Sequence, residues 1–519
     1  MIKYNIVSKC TRTRARHCRL QFSISSPGGA KTDCLATSAS NRLIRNNSKV
    51  TSNGRSSSSS SCRDQETTTS PNAAAALDSP ERLPTGDEPA SAAPAYINAG
   101  WGEPVQTPCF MPVATSATIK TLTPARVADC GYRLILANTY HLAEKFGHKT
   151  LELFYSQYGA VKGMMSWPYY LLTDSGGFQL VSLNELMTIN DDGVLFTSPF
   201  KTNSEVESNT GEIVARGDGE EKLVAQEEPM FLSPEKSMEI QTLIGSDIIM
   251  QLDDVIPSTC EDRERIQKAV ARSADWLERA SNFLQNENHK RLISGSKSPC
   301  INGHLFPIVQ GGLDQEMRME SLRQILDQSS PKEGYAIGGL SGGESKSEFC
   351  DVVFWCCEEL PKQKPRYVMG VGYMIDQLLG VALGADMFDC VFPTRTARFG
   401  NALTLEETVN LKKSIYATDC RPICEYCECY TCSSGYTRAF LHYSLGEVAT
   451  KSLITIHNLY YHHNCFIKKM HEAIDANKFV EFAADCLIRH FTSKDKIPEY
   501  VYHCFDDILK VNIDNYLKC

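Results

Sequence analysis

Short apolar runs alternate with helical patterns from about residue 104 onward. Each run has the length and composition of a buried strand, and each ends at its carboxyl side in a polar residue or a glycine. Between the runs, apolar residues recur at three- and four-residue spacing, as from Ile266 to Leu284, which predicts long amphipathic helices. The strand-like runs span residues 133–140, 169–177, 247–254, 305–312, 335–340, 367–372 and 387–393.

Strand and helix alternating this often predict a parallel sheet with crossover helices. An open doubly wound sheet would gather its ligands at one switch point, whereas a barrel carries functional groups at the carboxyl ends of all its strands. The second distribution fits this chain and favours an α/β fold of the (β/α)8 TIM-barrel type. The polar or glycine residues at the carboxyl ends of the runs are Asn138, Asp174, Asp253, Gln310, Gly339, Gly372 and Asp389.

Composition divides the chain into three parts. Residues 1–95 are rich in arginine and serine, with twelve Lys/Arg up to Arg63 against the single acid Asp33, and we expect them to be disordered. They have the composition of a mitochondrial transit peptide, and an unstructured tail is the alternative. Residues 96–415 form the predicted barrel, in which the acidic, glycine-containing stretch 201–230 is an inserted surface loop. Residues 416–519 are the expected zinc-binding and helical region.

The charge and cysteine counts narrow the function classes. The 519 residues carry 53 Lys+Arg against 62 Asp+Glu, so any RNA must be bound by a local basic surface rather than by bulk charge. No apolar stretch is long enough to cross a bilayer. The 21 cysteines are an odd number without a secretory signal, which favours reduced thiols and a metal site over a disulfide framework.

Three strand ends carry carboxylates that could do chemistry. Asp174 opens the turn DSGG, Asp253 and Asp254 are adjacent, and Asp389 lies within an apolar strand, where an unpaired charge is costly. A good turn and a helix cap are the structural alternatives for Asp174 and Asp254. Carboxylates across a barrel mouth, without a nucleotide-binding glycine signature, suggest attack on an acetal-like carbon with a covalent glycosyl intermediate. Gln310, Gly339 and Asp253 could match the donors and acceptors of a purine edge.

A cysteine cluster follows the barrel. Cys427, Cys429, Cys432 and His457 could close a tetrahedral structural zinc site, one per chain. Cys424 allows a competing set of four cysteines, in which His457 would be spare. Closer to Asp389, the arginines of 394–398 could hold phosphates, although arginines on such a loop are also often only solvated.

Together, DSGGFQ at 174–179, QLDD at 251–254, IVQGG at 308–312, AIGGLSGGE at 336–344, MGVGY at 369–373 and DMFDCVFPTRTARFG at 386–400 resemble the tRNA-guanine transglycosylase family. The cysteine cluster makes the resemblance strongest to its eukaryotic members. It covers about residues 95–495. It implies exchange of guanine 34, in the wobble position of tRNAs with a GUN anticodon, for queuine.

The resemblance also implies roles for individual residues. Asp389 matches the nucleophile that bonds to the ribose, and Asp174 matches the general acid and base. The implied zinc ligands are Cys427, Cys429, Cys432 and His457. The implied base-binding set is Asp174, Ser175, Gly176, Gly177, Phe178, Asp253, Gln310 and Gly339. The implied tRNA-contacting residues are Gly370, Val371, Gly372, Tyr373, Met374, Ile375 and Asp376, together with Thr394, Arg395, Thr396, Ala397 and Arg398.

Two other functions compete with this enzyme. A non-catalytic, zinc-containing partner subunit of the same complex would be expected to lack the aspartates at 174 and 389. A retaining glycosidase would need neither the cysteine cluster nor the 394–398 segment. The family favours a heterodimer with a non-catalytic paralogous subunit over a homodimer. We expect a cytoplasmic protein, with a mitochondrial or mitochondrial outer-membrane location as the alternative.

Overall fold

Eight parallel strands form the centre of the fold in a computed structural model that describes residues 2–22, 103–177, 187–196, 230–293 and 303–517. All seven runs predicted from the sequence contain such a strand, and one further strand precedes them. The barrel strands are β4 (Cys109–Pro112), β5 (Leu134–Ala137), β6 (Tyr170–Thr173), β10 (Ile248–Met250), β11 and β12 (His304–Phe306 and Ile308–Val309, one strand interrupted at Pro307), β13 (Tyr335–Ile337), β14 (Arg366–Val368) and β15 (Met387–Cys390).

The strands close on themselves. The sheet orders are β11-β10-β6-β5 and β12-β13-β14-β15-β4, and a parallel bridge between Val113 and Leu136 joins β4 to β5. Inward-facing apolar side chains, among them Met111, Leu172 and Phe306, fill the interior as a packed core. The predicted TIM barrel is therefore confirmed.

Helices surround the barrel where the sequence shows amphipathic patterns. Ser233 caps α4 by accepting a hydrogen bond from the Lys236 amide, with Pro234 in the first turn as predicted. The helices up to the end of the barrel are α1 (Pro124–Asp129), α2 (Thr139–Tyr158), α3 (Val161–Met164), α4 (Pro234–Ile244), α5 (Arg263–Ile293), α6 (Gln315–Asp327), α7 (Lys346–Glu359), α8 (Met374–Leu383) and α9 (Phe392–Arg398).

The start of the chain is part of the folded body, contrary to the predicted disorder of residues 1–95. Strands β1 (Ile2–Lys9) and β2 (Arg16–Phe22) form an antiparallel hairpin, and β2 pairs with β3 (Val105–Thr107) at the amino end of β4. Alternate residues of β2, such as Cys18 and Leu20, are wholly buried. The basic composition misled the prediction because Arg16 is used inside the protein, while residues 23–102 lie outside the described part.

Both composition-biased segments connect strands that are direct neighbours. Residues 23–102 lie between β2 and β3, in which Leu20 is paired with Val105. The predicted 201–230 insertion falls almost entirely outside the described residues, between β8 (Val194–Phe196) and β9 (Met230–Leu232), where Phe196 is paired with Met230. A third strand, β7 (Met187–Ile189), completes that small sheet. Each segment therefore joins two paired strands.

The C-terminal region adds a hairpin and a group of helices against the barrel. The pattern from Phe466 to Phe491 predicts one long helix, but two helices form, because the chain leaves the helical path at Ala476–Lys478. No described helix is long and apolar enough to span a membrane. The elements are β16 (Asn401–Leu403), β17 (Thr408–Asn410), α10 (Tyr430–Ser433), α11 (Arg438–Tyr443), α12 (Val448–Tyr460), continued by a π-helical turn Tyr461–Ile467, then α13 (Lys468–Asp475), α14 (Phe479–Phe491), α15 (Glu499–Tyr502) and a π-helical turn His503–Ile508, with 3-10 turns at Ser414–Tyr416, Lys494–Lys496 and Ile513–Asn515.

Candidate active site at the carboxyl ends of the strands

Asp389 lies near the carboxyl end of strand β15 and accepts two hydrogen bonds through one carboxylate oxygen. The Tyr367 hydroxyl donates at 2.5 Å and the Gly370 amide at 2.8 Å. Burial raises the pKa of Asp389 to about 6, the two hydrogen bonds oppose that rise, and the charge of Asp174 adds to it. Both donors are neutral, so they fix the direction of the carboxylate without neutralising its charge.

Asp174 follows β6 and is held by the end of the neighbouring strand. The Thr139 amide donates to it at 2.7 Å, and the Asn138 side-chain amide donates to its other oxygen. The carboxylate is buried, and burial raises its pKa against these hydrogen bonds. Strands β6 and β15 are parallel members of one closed barrel, so both carboxylates lie at the mouth where the strands end, and the charge of Asp174 adds to the raised pKa of Asp389. Asp174 is thus suited to hold and release a proton.

Asp253 lies between two neutral donors on adjoining strand ends. Ser175 donates from its hydroxyl at 2.7 Å, and Gln310 donates from its side-chain amide at 2.6 Å. Burial raises the pKa of Asp253 to about 7, and these hydrogen bonds lower it in part. Asp253, Ser175 and Gln310 therefore form a connected polar surface that offers both an acceptor and amide groups to a ligand.

Asp254 does something different from its neighbour. Its carboxylate is fully buried and is held by Arg265 at 2.5 and 2.9 Å and by Arg272 at 2.6 Å. Helix α5 begins at Arg263, so Asp254 does not cap it, as the structural alternative supposed. The two adjacent aspartates therefore have different roles. Arg265 and Arg272 neutralise Asp254, and neither arginine contacts Asp253.

Two glycines leave room at this surface. A β-carbon on Gly177 would lie 2.5 Å from the Asp253 carboxylate and 2.9 Å from the Ser175 hydroxyl. At Gly339, where φ is +66°, it would lie 2.8 Å from the Gln310 side-chain oxygen. Phe178, the last residue of the predicted base-binding set on this loop, lies outside the described residues. The other members of the set, Gly176 included, follow the carboxyl ends of their strands.

The segments expected to contact tRNA are only partly accessible. Tyr373 is exposed, and its ring centroid lies 4.3 Å from that of Phe392. Arg395, three residues after Phe392, is also exposed. Asp376 is buried and paired with Lys346 at 2.6 Å. The prediction that residues 394–398 form a loop is wrong. They lie in helix α9, which begins at Phe392. The buried members of the two segments are Val371, Gly372, Ile375, Asp376, Thr394 and Ala397.

The cysteine cluster assembles as a candidate metal centre away from the carboxylates. One ligand atom from each of Cys427, Cys429, Cys432 and His457 lies within 4.8 Å of the others, and all four side chains are buried. His457 faces Cys432 and Cys429 with Nδ1, at 3.4 and 3.6 Å, and its Nε2 lies 3.1 Å from the Leu403 carbonyl. That second contact fixes the ring so that Nδ1 is free for a metal. The geometry supports the set that includes His457 over the one with Cys424.

Sequence reasoning missed Tyr367 and Thr139 as groups that hold the carboxylates. A tyrosine at the start of an apolar strand signals that its hydroxyl needs a partner when buried, so Tyr367 could have been found. Thr139 acts through its backbone amide, and no residue type announces that. Arg318, described below, carries no sequence signal because its contacts are with backbone carbonyls.

Comparison with known proteins agrees with the geometry. The family model described as queuine tRNA-ribosyltransferase matches residues 97–215 and 221–492. The queuine tRNA-ribosyltransferase catalytic subunit of Schizosaccharomyces pombe is 39% identical over 417 residues, which are 79% of this chain and 91% of that protein. The catalytic subunit of Caenorhabditis elegans is 39% identical, over 75% of this chain and 85% of that protein. The queuine tRNA-ribosyltransferase of Thermodesulfovibrio yellowstonii is 37% identical, over 74% and 88%.

Proposed function

Because the chain belongs to the queuine tRNA-ribosyltransferase family, we propose that it exchanges guanine 34 in the anticodon of tRNA for queuine. The observation that carries the proposal is the pair of carboxylates Asp389 and Asp174, which share one barrel mouth and are held by neutral donors only. The non-catalytic partner subunit is disfavoured because both carboxylates are present and placed together. A base must leave the anticodon stack to reach such a site.

The exchange proceeds in two steps, formation of a covalent RNA-protein intermediate and its attack by the incoming base. An oxygen of Asp389 bonds to C1′ of the ribose while the bond from C1′ to N9 of guanine breaks, and its electron pair stays on N9. Asp174 gives that nitrogen a proton, so neutral guanine leaves and the RNA remains bonded to the protein. Asp174 then takes the N9 proton of queuine, whose nitrogen attacks C1′ and releases Asp389. Asp253 and Gln310 hold the base in both steps.

The test is capture of the covalent intermediate. The chain, incubated with guanosine-34 tRNA, is denatured and separated by mass, with and without added queuine. We expect an RNA-protein adduct in the parent that disappears when queuine is added, and none in Asp389→Asn. An adduct that persists in Asp389→Asn would exclude Asp389 as the nucleophile. A second incubation with labelled guanine separates the enzyme from a glycosidase. A glycosidase would release guanine from the tRNA but would not incorporate the label into the tRNA.

We also propose that the metal is a single structural Zn²⁺ held by Cys427, Cys429, Cys432 and His457. Three sulfur ligands and one nitrogen, all buried, are the donor set of a closed zinc site and leave no position open for substrate. The zinc would join the segment 427–432 to helix α12 within the C-terminal region, and the chemistry would stay with the carboxylates. Elemental analysis should find one zinc per chain, and Cys429→Ser should lower both zinc content and the yield of folded protein.

We also propose a heterodimer with a paralogous, non-catalytic subunit. Support comes from a row of aromatic side chains on the C-terminal region, in which Tyr436 packs 6.2 Å from Tyr430 and 5.4 Å from Phe440, with Tyr443 76% exposed nearby. Exposed aromatic rows mark interfaces more often than free surfaces. Tyr443→Glu should release the partner in light scattering, whereas Tyr158→Glu, at an exposed aromatic of helix α2, should not. A mass of twice the chain would indicate the homodimer.

We further propose that the chain works in the cytoplasm and keeps residues 2–22. Cleavage of a mitochondrial leader after these residues would remove Arg16, whose guanidinium holds the buried Asp386 by two hydrogen bonds. Intact-mass measurement of the protein purified from its own cells tests this. A mature start beyond residue 22, together with mitochondrial fractionation, would favour the alternative location.

A further inference from the structure

Arg318, in the first turn of helix α6, is a buried cation behind the base-binding surface. Its side chain is completely buried. Its Nε donates to the Gly312 carbonyl, and its Nη1 donates to the carbonyls of Val309 and Gly338, each at 2.8 Å. One guanidinium therefore joins the end of β12, the loop after Gln310 and the end of β13.

These partners are neutral, so the charge of Arg318 is not cancelled by them. Burial accordingly lowers the pKa of Arg318, and the carboxylate of Glu344 acts on it from a distance. Glu344 itself accepts hydrogen bonds from the amides of Ser341 and Gly342. The turn that contains Gly339 is thus held from one side by a cation and from the other by an anion, and Arg318 keeps a positive potential beside that turn.

Two buried polar atoms converge on Gly339. Within the described part of the chain, Nη2 of Arg318 and Oε1 of Gln310 have no hydrogen-bond partner. A β-carbon placed on Gly339 would lie 3.5 Å from that nitrogen and 2.8 Å from that oxygen. The Gln310 amide nitrogen donates to Asp253 at 2.6 Å, and its oxygen lies on the side of the cation without a hydrogen bond to it. The reversed amide would turn its N–H donors toward the side of the guanidinium and its oxygen toward the Asp253 carboxylate, and both changes are electrostatically unfavourable.

We propose that Arg318 is a positioning residue whose positive charge favours the Gln310 amide orientation in which one N–H donates to Asp253 and the other is left for the base, and so selects purines with an acceptor oxygen at position 6. Guanine and 7-deazaguanines offer such an oxygen next to N–H donors at positions 1 and 2, which suit the Asp253 carboxylate. A site that must donate at one position discriminates against a base with a poorer acceptor there. The inference rests on the proposed function and adds to it a residue that does not contact the substrate.

The experiment compares guanine with 6-thioguanine, which keeps the N–H at position 1 and replaces only the oxygen by sulfur, a weaker acceptor. Exchange into tRNA is measured for both bases with the active assembly that contains the full chain. Neutral variants Arg318→Met and Arg318→Gln should raise KM for guanine about tenfold, with kcat within about threefold, and should lower the preference for guanine about tenfold. Arg318→Lys, which keeps the charge, should keep most of the preference.

Arg323→Met is the matched control, because Arg323 lies on the same helix with its side chain 60% exposed, and it should change neither KM nor the preference. A folded neutral variant that keeps the full preference would overturn the inference, as would an Arg318→Lys variant that loses it entirely. Failure of both neutral variants to fold would also overturn it, since Arg318 would then be structural only. If the parent itself exchanges no guanine, the proposed function fails, and this outcome is distinct from the other three.

Discussion

Asp386 immediately precedes strand β15, and Asp389, three residues later, lies near the carboxyl end of that strand. At the amino end, the carboxylate of Asp386 accepts four hydrogen bonds, two from Arg16, one from Tyr4 and one from the Arg366 amide. At the carboxyl end, Asp389 has two neutral donors and a pKa raised to about 6. The same residue type therefore stabilises the fold before the strand and remains reactive near the carboxyl end of the strand.

The neighbours Asp253 and Asp254 repeat this contrast. Two arginines of helix α5 neutralise Asp254, whereas Ser175 and Gln310 hold Asp253 without neutralising it. In both pairs the difference is the presence of a cation. A buried carboxylate with a guanidinium partner is part of the scaffold, and one with only neutral donors remains available to a substrate.

The largest effect is expected from a substitution of Asp389, the reactive carboxylate of the first pair. Asp389→Asn keeps shape and hydrogen bonding but removes the nucleophile, so guanine exchange should fall by roughly 10⁴-fold or more. Thermal stability should stay the same or rise, because a buried charge without a cation has been removed. Exchange assays and thermal unfolding of the same preparation measure both. A variant that loses stability as well would mean that Asp389 is a scaffold residue like Asp386.

The next largest effect is expected from loss of the buried ion pair between Arg16 and Asp386. Arg16→Met leaves Asp386 buried without its cation and should lower the free energy of unfolding by about 3–5 kcal/mol in denaturant titration. Arg12→Met, which removes a partly exposed pair with Glu481 on the same hairpin, should cost at most about 1 kcal/mol. Equal costs for the two variants would show that the buried pair is not what holds the hairpin to the barrel.

The paired aspartates give a smaller and more selective effect. Asp253→Asn should raise KM for the base by about 10- to 100-fold, because the carboxylate that accepts from the base is lost. It should lower the free energy of unfolding by only about 1 kcal/mol, since the amide oxygen can still accept from Ser175 or from Gln310 but not from both. Asp254→Asn should do the reverse, since it removes the partner of two arginines. Steady-state kinetics and thermal unfolding of both variants separate the roles. A common effect on KM would show that the two carboxylates act together.

The smallest effect is a pH dependence. The nucleophile must be ionised, so kcat/KM should fall about tenfold per pH unit below about 6, as Asp389 takes up a proton. The contribution of Asp389 to the free energy of unfolding should change in the opposite direction and rise as the pH falls. A carboxyl group with a raised pKa in the folded state binds its proton more tightly there, so its contribution to stability grows as pH falls from above 6 toward its unfolded value near 4. The exchange rate and the melting temperature, measured from pH 5 to 8, test both directions. A flat rate profile across pH 6 would contradict the assignment.

The sequence predicts much of the site because its parts follow strand ends. Asp174, Asp253, Gln310 and Asp389 could be placed at one face, since parallel strands end together at one edge of a barrel. It could not tell which carboxylates are neutralised, because Arg16 is 370 residues from Asp386 along the chain. The same arginine also explains why the disorder predicted for residues 1–95 is wrong for residues 2–22, since local composition does not show that a distant carboxylate needs a cation.

The amino-acid sequence by itself determined the parallel barrel, the cysteine cluster of the candidate zinc site and the resemblance to a family, because apolar periodicity and motif spacing are local properties. Only the tertiary structure decided that residues 2–22 belong to the folded body, that helix α9 replaces the expected loop, and that Arg318 lies behind Gln310. These depend on contacts between residues far apart in sequence, in an interior where a single cation changes the energy of a buried carboxylate.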